Sequence, residues 1–342
     1  MALAVLLALG ACSGQPPVAP SESPRATDVV TPVPQPAAPR PTASAPTPAT
    51  AEPEAPAVDA PAFPPFPDIG PSAAGRYTPE LAAALDDEPA PYLDGCHQLR
   101  AEQRVETCVY GDPGSAVRVV LVGDSHAAQW HGGVAAVAEA RGWRLETYTK
   151  SACPLSTTQV WIRRDAQPYA TCSAWNESVL AHLLQDPPDL VVTSMSGEYD
   201  AVVDGEKISA GPEADALVAA GVAESWGELL DAGSPVAVIA DTGWYPVEVV
   251  PCLLEDPDDP VRCDAPRGPA LDRSAAPILA AALEAEPRAR AFDLTPAVCG
   301  PEVCPAVLDG MVVMRDEHHI TATFSRWLAP WIDAGLEWAT DW

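Results

Sequence analysis

Hydrophobic positions along the chain fall into two regimes. Up to about residue 72 they are mostly isolated among Pro, Thr and Ser, apart from one short N-terminal apolar run. Beyond Tyr77 they gather into runs of strand length that alternate with segments of helical period. "VRVVLVG", ending at Gly123, is almost continuously apolar, as a strand buried on both faces of a parallel sheet should be. Ala127, Trp130, Val134, Val137 and Ala138 then keep the spacing of one helical face as far as Arg141, and Gly142 ends it. Further strands are predicted at 144–149, 190–194, 236–240 and 289–293, and helices at 173–185, 212–232 and 274–284. Near the C-terminus Phe324, Trp327, Leu328, Trp331 and Ile332 form an amphipathic stripe that Pro330 interrupts, which predicts a kink or a restart. Five β units separated by helices predict an α/β fold with a doubly wound parallel sheet and right-handed crossovers. In such sheets, sites form outside the carboxyl ends of the strands.

Composition divides the chain. Nearly half of its 40 prolines precede residue 72, and such a stretch cannot bury enough apolar surface to offset chain entropy. We read 12–76 as a disordered Pro/Ala/Thr-rich linker and 77–342 as one domain. Ahead of the linker, "MALAVLLALGAC" is too short to cross a bilayer and has the character of a secretory signal, residues 1–11. Its "LGAC" resembles the lipobox of bacterial lipoproteins, in which Cys12 would carry the lipid; a plain signal peptide cut nearby is the alternative. The net charge of −29, from 48 acidic and 19 basic residues without a Lys/Arg cluster, argues against a nucleic-acid partner.

Eight further cysteines form four sequence-local couples: Cys96 with Cys108, Cys153 with Cys172, Cys252 with Cys263, and Cys299 with Cys304. No C-x-x-C or Cys/His spacing of a zinc site is present, so disulfides formed in an oxidising compartment are the expectation.

Chemistry concentrates in two segments. Ser125, in "LVGDSHAAQW", follows the best strand at the start of a helix, where backbone amides favour negative charge. A serine needs a base, and the base needs an orienting group. "MRDEHHIT" offers both, because Asp316 and His319 at i and i+3 would face the same side of a turn or first helical turn. A metal held by His126 and His318 with Asp316 and His319 is the less favoured reading; the expectation is no metal and no cofactor. The acids of "EDPDDP" lack a calcium-loop pattern and read as a solvated loop. Trp161, Trp175 and Trp244 are placed to stack on sugars or simply to pack.

G-D-S after the first strand with D-x-x-H near the C-terminus resembles the SGNH (GDSL-type) hydrolase superfamily. "GDSHA", "TKSACP", Cys172 with Trp175, and "RDEHHIT" resemble a narrower group, the extracytoplasmic SGNH domains found alone or fused to multi-pass membrane acyltransferases that acetylate cell-surface glycans. The resemblance implies a flavodoxin-like three-layer α/β/α sandwich with five parallel strands. It also implies Ser125 as nucleophile, His319 as base and Asp316 as its orienter, with Asp124 supporting the turn. The superfamily's oxyanion glycine and G-x-N-D asparagine are missing, which leaves the Ser125 amide as one donor and Ser151 and Ser196 as candidates. The expected protein is an exported, lipid-anchored serine enzyme moving or removing O-acyl groups, acetyl above all, on cell-envelope polysaccharide. A separate membrane acyltransferase is a possible partner, and contact with the membrane is through the lipid anchor alone. The alternative from another class is a non-catalytic glycan-binding or acyltransferase-docking protein.

Overall fold

The computed structural model describes residues 60–340; the expected signal, Cys12 and most of the linker lie outside the described residues. The central sheet is built on five parallel strands, β3 (Arg118–Gly123), β4 (Arg144–Lys150), β5 (Leu190–Ser194), β6 (Val236–Ile239) and β7 (Arg290–Phe292). Their order is β4-β3-β5-β6-β7. Two short strands, β1 (His97–Gln98) and β2 (Cys108–Gly111), extend the outer edge of β4, the first parallel and the second antiparallel. The five predicted strands are therefore the core of the sheet. The edge pieces were too short to leave a periodic signal.

The alternating faces of β3 explain the layers. Val119 and Leu121 belong to one apolar cluster and Val120 and Val122 to the other, and all four are fully buried. At about 1.5–3 kcal/mol per buried side chain, this strand is a principal anchor of both layers. On one face lie α1 (Ser125–Ala128), α2 (His131–Arg141) and the C-terminal helices α6 (Ala322–Trp327) and α7 (Ala329–Thr340). On the other lie α3 (Ala170–Gln185), α4 (Pro212–Asp231) and α5 (Ala276–Ala285). The interruption expected at Pro330 is the junction between α6 and α7, and Gly142 ends α2 in the left-handed conformation, φ 66°. Among the described residues no helix is long and apolar enough to cross a membrane.

The expected linker ran to residue 76, but the chain is docked before that. Ile69 is buried, Phe66 stacks on Trp331 at 6.0 Å, and the Ser72 amide donates to Asp264 at 2.9 Å. Aromatic side chains hidden among the prolines of "FPPFPDIG" account for the earlier boundary. Four disulfides join Cys96 to Cys108, Cys153 to Cys172, Cys252 to Cys263 and Cys299 to Cys304, the couples read from the sequence.

Candidate active site

Sheet register brings the site together. Gly123 pairs with Thr149 on β4 and with Ser194 on β5, so the residues that follow these three strands emerge at one level. The order also reverses at β3, the switch point where ligands bind in open α/β sheets. Gly123 is required here: at φ 143° an added Cβ would lie 2.7 Å from the Ser194 carbonyl oxygen and 2.8 Å from the Ala127 Cβ. Asp124 caps α1, accepting from the His126 amide at 2.8 Å with Oδ1 and from the Ser196 amide at 2.8 Å with Oδ2. Oδ2 also accepts from the Tyr199 hydroxyl. Asp124 is fully buried, and burial pushes its carboxyl up against the pull of these partners. Its acceptor oxygens face inward onto this turn, which leaves Ser125 as the first residue of α1 on the wall of a cavity of about 350 Å³.

The "TKSACP" segment after β4 is held from three sides. Lys150 is buried and donates to the carbonyls of Leu99, Arg100 and Glu102 at 2.8, 3.2 and 2.5 Å. Burial lowers its ammonium to about 8. Ser151 Oγ meets His97 Nε2 at 2.9 Å, and Cys153 is bridged to Cys172 on α3. Between them Ala152 is forced to φ 53°, an uncommon conformation for a residue with a side chain. Ala152 lines the same cavity as Ser125. Of the oxyanion candidates, the Ser151 amide is spent on the Gln98 carbonyl at 2.9 Å and the Ser196 amide on Asp124. The amides of Ser125 and Ala152 have no acceptor among the described residues.

Asp316 and His319 meet as expected, although not on a helix. Residues 315–319 form a turn closed by the Met314–Ile320 bridge and by the Arg315 amide on the His319 carbonyl at 2.9 Å. Asp316 Oδ1 accepts from the amides of His318 and His319 at 2.9 and 2.7 Å, an Asx-type turn, while Oδ2 meets His319 Nδ1 at 2.8 Å. Burial would raise the Asp316 carboxyl, but His319 and Arg315 hold it well below the usual carboxylate range. Burial lowers His319 to about 3, so its imidazole is neutral near pH 7. Its Nε2 is buried and has no hydrogen-bond partner among the described residues, Ser125 Oγ included.

A second set of residues converges on the same place; the sequence offered His126 and His318 only as metal candidates and did not single out Asp241. His126 and Asp241 are both fully buried, with His126 Nδ1 2.5 Å from Asp241 Oδ1. His126 Nε2 meets His318 Nδ1 at 2.9 Å. Asp241 follows β6 and also accepts from the amides of Thr242 and Ala275 at 2.8 and 2.9 Å. Gln129 ties the set together, accepting from the Ile320 amide at 3.0 Å and donating to Thr242 Oγ1 at 3.2 Å. The ring nitrogens of His126, His318 and His319 lie within 4.8 Å of one another, as do ligand atoms of Asp316, Glu317 and His318. Two of the first group are already engaged in the His126–His318 hydrogen bond. Trp161 and Trp244 line the cavity, whereas Trp175 is fully buried and packs in the core.

With this geometry in place, comparison with known proteins decides the family. The family described as "SGNH domain (fused to AT3 domains)" matches residues 95–334. The chain belongs to this SGNH family. Its parallel sheet with helices on both faces is the fold that membership implies. A solved structure, the periplasmic domain of a lipopolysaccharide acetyltransferase of Salmonella ser. Paratyphi A, is similar at 14% identity and a TM-score of 0.47, covering 64% of this chain and 82% of that one. No curated protein sequence matches.

Proposed function

We propose that this SGNH domain is an exported serine enzyme that transfers or hydrolyses O-acyl esters, acetyl above all, on cell-envelope glycans. SGNH membership supports acyl chemistry on a glycan. The observation that carries the serine mechanism is the state of His319: neutral, oriented by Asp316, and with a buried, unpartnered Nε2. A lone pair so held is suited to take the proton of Ser125 Oγ once that hydroxyl comes within hydrogen-bond reach. Ser125 then attacks the ester carbonyl and the sugar alcohol leaves with the proton from His319. Water or a second sugar hydroxyl next accepts the acyl group. The amides of Ser125 and Ala152 supply the oxyanion site, in place of Ser151 and Ser196, whose amides are engaged elsewhere. Four disulfides and the N-terminal apolar run favour export, with Cys12 as the lipid anchor.

Turnover of 4-nitrophenyl acetate by the purified protein tests this reading, with intact-mass detection of an acetylated enzyme. The expected result is a transient gain of one acetyl group on the peptide containing Ser125. The competing reading, a glycan-binding domain without turnover, draws on the missing hydrogen bond between Ser125 and His319. It requires that no acetyl-enzyme forms and that release of nitrophenol matches buffer alone.

A further inference from the structure

Asp241, His126 and His318 form a chain that the serine mechanism does not use. Two of its members are fully buried, a costly placement for ionisable groups unless they are paired. Here the pairing is complete at one end and open at the other. Asp241 accepts from His126 Nδ1 and from two backbone amides. His126 Nε2 holds His318 Nδ1, and the His318 ring is packed against Trp244 at 4.1 Å and against His319 at 3.9 Å. The Arg273 guanidinium lies over the Trp244 ring at 4.2 Å. The ring of His318 is thus fixed in place and plane. Its remaining nitrogen, Nε2, has no hydrogen bond among the described residues; Glu317 Oε1 lies 3.9 Å from it. His318, unlike His126, lines the cavity that Ser125 lines.

We propose that His318 Nε2 is a seat for a hydroxyl group of the acceptor sugar, next to the hydroxyl that attacks the acyl-enzyme, with Asp241 and His126 as positioning residues. This rests on the reading that Ser125 carries the acyl group. The carboxylate of Asp241 keeps a proton on His126 Nδ1. When His126 also carries a proton on Nε2 it donates to His318 Nδ1, and His318 presents an N–H; when it does not, His318 presents a lone pair. A hydroxyl group both donates and accepts, so it suits either state. In the transfer step the attacking oxygen bonds the acyl carbon and gives its proton to His319 Nε2. The bond from that carbon to Ser125 Oγ breaks, and His319 returns the proton to Oγ. His318 makes and breaks no covalent bond. Water has no second hydroxyl to anchor, so the seat directs the acyl group toward a sugar.

The partition of the acyl-enzyme tests the seat. The full chain is supplied with 4-nitrophenyl acetate and methyl α-glucopyranoside, and the ratio of acetylated glucoside to acetate is measured by mass spectrometry. His318→Asn keeps an amide for His126 at the inner position and leaves nothing at the outer one, and should lower the ratio about tenfold, the size of one hydrogen bond. His318→Gln puts an amide at the outer position and should restore most of it. Asp241→Asn should lower the ratio too, with no further fall when combined with His318→Asn. Once the acetate formed in buffer alone is subtracted, both products come from one acyl-enzyme, so slower acylation or partial unfolding leaves the ratio unmoved. With 1-propanol as acceptor, which has a single hydroxyl, the ratio should not respond to these substitutions. An unchanged glucoside ratio in His318→Asn, an equal fall with propanol, or no acetylated glucoside from wild type that still labels at Ser125 overturns the seat. Absence of labelling at Ser125 overturns the serine reading beneath it. If Asp241→Asn does not fold, the two His318 variants decide.

Discussion

Two aspartate–histidine pairs stand side by side at the carboxyl end of the sheet, and they are built differently. Asp316 and His319 come from one turn, three residues apart, and each keeps some exposure, 18% and 12%. Asp241 and His126 lie 115 residues apart and have none. In the first pair burial and the neighbouring His126 and His318 outweigh the carboxylate, and His319 falls to about 3. In the second, burial also opposes the charge, yet Asp241 outweighs it and His126 is raised. The first pair leaves the His319 Nε2 without a hydrogen-bond partner among the described residues; the second passes its nitrogen to another histidine. One is suited to moving a proton and the other to holding a ring still.

That contrast can be broken from either side. The largest effect is expected from His319→Ala, which should lower kcat/KM for 4-nitrophenyl acetate by about 10⁴-fold or more, as loss of a base in a serine triad does. Asp316→Asn removes only the orienter and should cost about 10³- to 10⁴-fold in kcat, measured on the same ester. Asp241→Ala should act on stability instead. Stranding a buried His126 costs about 3–5 kcal/mol, read from urea midpoints, whereas Asp316→Ala, at a partly exposed pair, should cost about 1–2 kcal/mol. The smallest effect sharpens the comparison by pH. Because burial keeps His319 neutral until pH falls to about 3, the base stays available as pH drops through 6.5. The acid limb of kcat/KM should therefore lie well below 6.5, toward 3, and a limb at or above 6.5 would contradict the difference between the pairs.

The same contrast marks what the sequence could reveal. The five parallel strands were legible because each is an unbroken apolar run between helical patterns. Asp316 and His319 were legible because the partner of the histidine lies on its own turn. Asp241 was not: it is a single acid after β6, and only the strand order brings it to His126. His126 and His318 are 192 residues apart and meet through the same topology. Gln129, inside the segment after α1, carries no signal of the two loops it joins. Ala152 escaped notice because the expected oxyanion residue was a glycine, and an alanine at φ 53° is visible only in the backbone. The linker boundary moved for a related reason: Phe63 and Phe66 are spaced by prolines, so their packing on the domain leaves no periodicity.

The central claim is that Ser125 is a nucleophile activated by His319. Labelling the purified protein with a serine-reactive fluorophosphonate, followed by peptide mapping, tests it most directly. The account predicts a single adduct on Ser125, abolished in Ser125→Ala and reduced at least a hundredfold in rate in His319→Ala. A wild-type protein that stays unlabelled, or a Ser125→Ala protein that labels equally well, would contradict it.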